Sequence, residues 1–336
     1  MTAVSDKDAA WKTHLLRTSV PLEHEVARIL SRHGFSVSAD YSYSRMDAGV
    51  EKEFSVDVRG ILGTGPADQF RRECLLDVFI ECKFRDRGAT WLFLPQPKYP
   101  RDKITDAVES IDLFSPRFVH DTLRNDDPDV QICYSAVEVG FSARDDKNGK
   151  GRAIESQLKH GVRQLQYAIP SLIMLRARTA ALIRPEENFP FFFTSVLVTN
   201  ARLVVANEAF GIAAVEAAGE LDDVGKEVPY LIWSAAVGPD FYQHCQRQFA
   251  GLAQFAGTPS MRAIEEKRKA AREASWALPS ALARRIAIDP TDAIHIAEFK
   301  NVIVTNIAHL SDVLAAIAKI FGRKAGMLKD EPLVKW

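Results

Sequence analysis

Apolar residues recur at helical spacing from about Pro21 to His33, where Leu22, Val26, Ile29 and Leu30 share one face, and Gly34 supplies a stop. The period then shortens to two. Phe35 to Tyr43 reads as a strand of alternating character. From Phe54 to Leu62 the alternation sets Phe54, Val56, Val58 and Leu62 on one side and Ser55, Asp57 and Arg59 on the other. From Leu75 to Phe84, Leu76, Val78, Ile80, Cys82 and Phe84 form an apolar face, with Asp77, Glu81 and Lys83 opposite. Gly63, Thr64, Gly65 and Pro66 make a turn between these two strands, so an antiparallel pair is expected.

Beyond Lys83 the pattern loosens. Residues 85–130 are irregular and proline-containing, with a helix expected over Lys103 to Phe114, and Val130 to Ser142 reads as a strand. Arg144 to Gly151 is a charged loop. A long helix is predicted from Ala153 to Arg178, kinked or broken near Pro170. Phe191 to Asn200, Arg202 to Asn207, Val228 to Val237 and Val302 to Asn306 read as strands. Helices are expected over Phe241–Phe255, Met261–Arg285 and Leu310–Phe321. This order argues for an α/β fold with a mixed central sheet flanked by helices.

Composition changes little in this picture. The 336 residues are 47% hydrophobic and 26% charged, as in a soluble globular protein. A net charge of -1 gives no global attraction to nucleic acid, so contacts with phosphates would come from local patches. Cys74, Cys82, Cys133 and Cys245 form no C-x-x-C pair and read as reduced, buried thiols of a cytosolic protein. The polar stretch from Met1 to Lys12 lacks the apolar core of a signal peptide, and no apolar run is long enough to span a bilayer. No G-x-x-x-x-G-K-[ST] loop, G-x-S-x-G elbow or zinc-type Cys/His spacing occurs.

The two strands around Asp57 and Glu81 carry the candidate chemistry. Hydrolysing a phosphodiester with a metal requires hard oxygen ligands, a group that orients the attacking water and positive charge near the phosphate. Asp57 on one strand, with Glu81 and Lys83 on the next, offers this set, and the backbone carbonyl of Cys82 can add a metal ligand while its side chain enters the core. The plainer alternative is a polar strand face carrying an ordinary surface ion pair.

The succession of a helix, a strand, Ser55-Val56-Asp57-Val58 and Phe79-Ile80-Glu81-Cys82-Lys83-Phe84 resembles the restriction-endonuclease-like fold of the PD-(D/E)xK nuclease superfamily. The first helix, Leu22-Glu23-His24-Glu25-Val26-Ala27 ending at Gly34-Phe35, is similar to that of Mrr-like members, which carries an acid assisting the metal. Counting from Gly34-Phe35 favours Glu23, with Glu25 as the alternative. The resemblance also implies a glutamine on the helix after the E-x-K strand: Gln164, or less well Gln157. It covers roughly residues 19–210, with an insertion at about 86–150, and leaves 211–336 as a C-terminal α/β extension that could belong to the same domain. Two departures stand out: Val56 replaces the proline of the Pro-Asp dipeptide, and the insertion is long.

What the resemblance implies is a Mg²⁺-dependent endonuclease, with Mn²⁺ able to substitute, acting on DNA more readily than RNA in prokaryotic defence or restriction. A homodimer or a partner protein is compatible with it. The alternative function is an inactive nucleic-acid-binding or assembly module that keeps the fold. Basic residues at 83–103 (Lys83, Arg85, Arg87, Lys98, Arg101, Lys103) and 144–163 (Arg144, Lys147, Lys150, Arg152, Lys159, Arg163) are the expected phosphate contacts.

Overall fold

In a computed structural model, the structure describes residues 11–64, 74–96, 108–111, 118–121, 130–139, 155–183, 191–256 and 301–330 apart from positions 13, 17, 86–87 and 235–236, together with 258–259, 262–263 and 266. The loop at 144–151, most of the basic positions from Arg87 to Lys103 and from Arg144 to Arg152, most of the expected helix at Met261–Arg285 and the side chain of Gln157 lie outside the described residues.

The protein is a mixed α/β structure built on a large mixed sheet flanked by helices. Helix α1 (Val20–Arg32) buries Leu22, Val26 and Leu30, one residue per turn, and ends where Gly34 adopts φ +82 and the Phe35 amide donates back to the Leu30 carbonyl. Strands β1 (Ser36–Asp47) and β2 (Val50–Gly63) form a long antiparallel hairpin. β2 pairs antiparallel with β3 (Leu75–Lys83), and β3 pairs parallel with β8 (Phe191–Thr199) along its whole length. Helix α2 (Glu155–Ile183) crosses one face of these strands and runs unbroken through Pro170.

The sheet continues past β8. Its order is β1-β2-β3-β8-β12-β11-β7-β4-β9-β10, with β12 (Asn301–Asn306), β11 (Tyr230–Ser234), β7 (Ile132–Val139), β4 (Thr90–Pro95), β9 (Arg202–Ala206) and β10 (Gly225–Glu227). Strands β10, β11 and β12, from the part of the chain beyond residue 211, therefore enter the same sheet, and β12 and β11 stand between β8 and β7. The later part of the chain also forms helices α3 (Ile212–Ala217), α4 (Pro239–Ala256) and α5 (Leu310–Asp330).

Two apolar clusters sandwich the sheet. On one face, Leu158, Val162, Leu165, Ile169, Leu172 and Ile173 of α2 pack on Val56, Phe79, Phe93, Leu197 and Trp233, with Phe241, Cys245 and Phe249 of α4 joining them. On the other, α1 and the Leu310, Val313, Leu314, Ile317 and Phe321 face of α5 cover Val58, Leu76, Val78, Ile80, Cys82, Val196 and Ile303. Strand β3 is thus buried on both sides, which explains its high apolar content.

Two sequence expectations need correction. Within Lys103 to Phe114, Val108–Ile111 is not helical; it forms β5, paired with β6 (Phe118–Asp121) and with Phe191–Phe193 of β8. Nor do Phe54, Val56, Val58 and Leu62 share a face. Phe54 and Val56 belong with the α2 side, whereas Val58 and Leu62 belong with the α1 side. The same switch occurs on β1, where Val37, like Phe35 just before the strand, packs on the α1 side and Tyr41 and Tyr43 on the α2 side. Both switches fall where the β1–β2 ladder passes from Ala39↔Val58 to Tyr41↔Val56, skipping Asp40 opposite Asp57. Asp40 has φ 52, a left-handed conformation that rotates the strand like a bulge.

Candidate active site

The switch in β1 and β2 creates the setting for the acidic residues. The β2–β3 ladder ends at Val58↔Ile80, so beyond it β2 no longer uses the backbone donors of β3. Asp57 fills that gap: its Oδ2 accepts the Cys82 amide at 2.7 Å. This fixes the Asp57 carboxylate beside the start of Glu81-Cys82-Lys83. The Cys82 side chain is buried on the α1 side, and burial raises its thiol pKa.

Glu81 and Lys83 project to the opposite face, under α2. Lys83 Nζ donates to Glu81 Oε1 at 2.5 Å; Glu81 is only 1% exposed, and its Oε2 is buried without a partner. The helix approaches so closely because residue 161 is glycine. A Cβ there would lie 2.8 Å from Lys83 Cε and 3.1 Å from Glu81 Cγ. Burial, with help from Asp57, pushes the Glu81 carboxyl up to about 7 against the opposing pull of Lys83.

The other predicted residues surround this pair unequally. Burial raises the Asp57 pKa and Asp40 adds to it, while the Cys82 amide and Lys83 oppose. Glu23 on α1 is half-buried and its pKa is raised by burial, then by Asp57 and Asp40. Glu25 is exposed. Gln164 braces the strand: its Nε2 donates to the Ser55 carbonyl at 3.2 Å, and its Oε1 is buried and unpartnered. His160, beside Gly161, is held toward neutrality by burial, Lys83, Arg45 and Arg163.

Among the described residues, no group of three or more His, Cys, Asp or Glu side chains gathers tightly enough to hold a metal ion unaided. The donor set still fits a hard cation. Glu81 Oε2 is buried without a well-formed hydrogen bond, the Glu81 carboxyl feels both the charge and the backbone amide of Asp57, and backbone carbonyls and water ordinarily complete such shells.

Sequence reasoning missed Asp40, whose charge is felt by both Asp57 and Glu23. Its left-handed backbone leaves no mark on the hydrophobic pattern. It also missed the buried set in which Asp77, 0% exposed, accepts from Arg59 (2.6 Å) and Arg176 (2.7 Å). That set clamps β2 and β3 to α2 and has a structural role. No helix among the described residues is long and apolar enough to cross a membrane. Comparison with known proteins finds no matching family model, no matching curated protein and no matching solved structure.

Proposed function

We propose that the chain is a divalent-cation-dependent nuclease of the PD-(D/E)xK type, hydrolysing phosphodiester bonds in DNA. The observation that supports this reading is what the β2–β3 divergence brings together along Glu81-Cys82-Lys83: Asp57 on the Cys82 amide, Glu81 with a buried unpartnered oxygen, and Lys83 on the same face as Glu81. In this reading Asp57 and Glu81, with the Cys82 carbonyl, hold Mg²⁺ or Mn²⁺, which when bound supplies charge neutralisation at the phosphate and acidifies a water. Lys83 moves off Glu81 to orient the nucleophilic water and offset charge on the phosphate, Glu23 anchors the outer water shell, and Gln164 holds the β2 backbone against α2.

The test is cleavage of plasmid and linear DNA by purified protein with Mg²⁺, with Mn²⁺ and with chelator. Cleavage is expected only with a cation. Lys83→Ala should cut at least on the order of 10²–10³ more slowly, and Asp57→Ala should abolish cutting. Undiminished cleavage by Lys83→Ala refutes the mechanism.

Two observations favour a second reading, a nucleic-acid-binding or assembly module without catalysis. The carboxylates do not form a tight cluster, and Lys83 already occupies Glu81. That reading expects no cleavage with any cation and unchanged binding in both variants.

A further inference from the structure

Arg45 stands on β1 beyond the face switch, in register with Lys52. Its guanidinium carbon lies 4.0 Å from the centroid of the Phe54 ring and 4.5 Å from that of Tyr167, so a ring from β2 and a ring from α2 clamp it. It forms no ion pair with any described carboxylate. Two carboxylates of this region are engaged elsewhere: Asp47 with Lys52 at 2.7 Å, and Asp240 with the Tyr167 hydroxyl. The Arg45 Nε is buried without a hydrogen-bond partner. A guanidinium cannot shed its proton, so a half-buried one lacking an anion carries a desolvation cost that the two rings offset only in part.

Its place along α2 says where that anion belongs. Gly161 touches Lys83 and Glu81, and Tyr167, under Arg45, lies ~9 Å of helix rise farther along. Arg163 lies between them and His160 directly precedes Gly161, and His160 feels Lys83, Arg45 and Arg163 together. Tyr43, next inward on the same face of β1, feels both Arg45 and Glu81. A cationic track thus leads from Lys83 to Arg45, and the offset suits a phosphate flanking the one at Lys83. The two rings hold the guanidinium in place, and the planar fork of an arginine is the group that grips phosphate oxygens in pairs.

We propose that Arg45 binds a non-bridging oxygen of a backbone phosphate flanking the scissile one. This rests on the nuclease reading of the Asp57–Glu81–Lys83 site.

The experiment measures anisotropy of a fluorescein-labelled DNA duplex with Ca²⁺ in place of Mg²⁺ between 50 and 200 mM salt, a range over which phosphate contacts dominate the salt dependence. Steady-state cleavage with Mg²⁺ is measured in parallel. Arg45→Gln keeps a flat stacking group without the charge; Arg45→Lys keeps the charge without the plane. For Arg45→Gln the salt slope should fall by about 0.9, one phosphate contact, with affinity down about tenfold and KM rising more than kcat falls. Arg45→Lys should keep the wild-type slope. Arg45→Met replaces the glutamine variant if that fails to fold. A wild-type slope in the uncharged variant, with melting lowered most by Arg45→Lys, overturns the proposal in favour of a purely stacking role. Should the wild type cleave while the slopes do not differ, this inference alone fails. A wild type that neither cleaves nor binds DNA with any cation sinks the nuclease reading and this inference with it.

Discussion

Glu81 concentrates the chemistry in one buried carboxyl. Its pKa is pushed up to about 7, mainly by burial, from an ordinary value of 4.5. The unfolded chain therefore releases this proton over pH 4.5 to 7 while the folded protein retains it. More protons are bound in the native state, so stability falls as pH rises through that window and the loss is complete above it. Glu81→Gln should remove this slope and make the protein more stable near pH 8, on the order of 3 kcal/mol at ~1.4 kcal/mol per pH unit. Urea unfolding of both proteins at pH 5 and pH 8 checks this; equal slopes would show that Lys83 keeps Glu81 ionised throughout. Asp40 marks what a sequence hides at this scale. Asp57, Glu81 and Lys83 were visible because alternation assigns residue types to faces. Asp40 and Arg45 were not: a left-handed φ at one residue reverses the parity of the rest of its strand, placing Tyr41, Tyr43 and Arg45 on the α2 side.

At the scale of elements, α2 decides whether the site can close. Its Gly161 sits against Lys83 and Glu81, while Arg176 near the other end reaches the buried Asp77 already held by Arg59. In an isolated helix, alanine for glycine should stabilise by about 1 kcal/mol. Here the added methyl would meet Lys83 Cε at 2.8 Å, Glu81 Cγ at 3.1 Å and Leu197 Cδ1 at 3.2 Å. Overpacking of this kind costs about 1–3 kcal/mol, so Gly161→Ala should lower the melting temperature despite its better helix propensity. A raised melting temperature would mean that Lys83 simply swings aside. The helix itself was legible, from Leu158, Val162, Leu165, Ile169 and Leu172 at helical spacing. Val108–Ile111 was not, because this short segment is held as a strand by Phe191–Phe193 and Phe118–Asp121, partners far away in sequence.

At the scale of the whole molecule, the question is whether the helix–hairpin–β3–α2–β8 unit stands without the rest. The family resemblance implied a core over about residues 19–210, and local periodicity could not test that boundary, because nothing local reports which strand lies beside which. In the sheet, β8 has β3 on one side, while Val196–Thr199 on its other side pair with Ile303–Asn306 of β12. β11 then joins β12 to β7. Helix α5 covers the α1 side of the sheet with Leu310, Val313, Leu314, Ile317, Ile320 and Phe321, all 2% exposed or less, and Phe321 meets the Phe192 ring edge-on at 5.2 Å. Each such side chain contributes about 1.5–3 kcal/mol by burial. Six of them together approach or exceed the roughly 5–15 kcal/mol of net stability typical of a domain. Truncation after residue 210 also strips β12 from the edge of β8 and leaves its backbone donors and acceptors bare. The fragment 1–210 should therefore fail to fold: its circular dichroism should show no cooperative thermal transition, although it retains Glu23, Asp57, Glu81, Lys83 and Gln164. A fragment that melts cooperatively and binds Mn²⁺ would show instead that the later strands dock onto an independent core. The dependence expected here follows from position in the sheet: β12 comes near the end of the chain but packs against β8 near its centre, so the candidate site is complete only when the chain is.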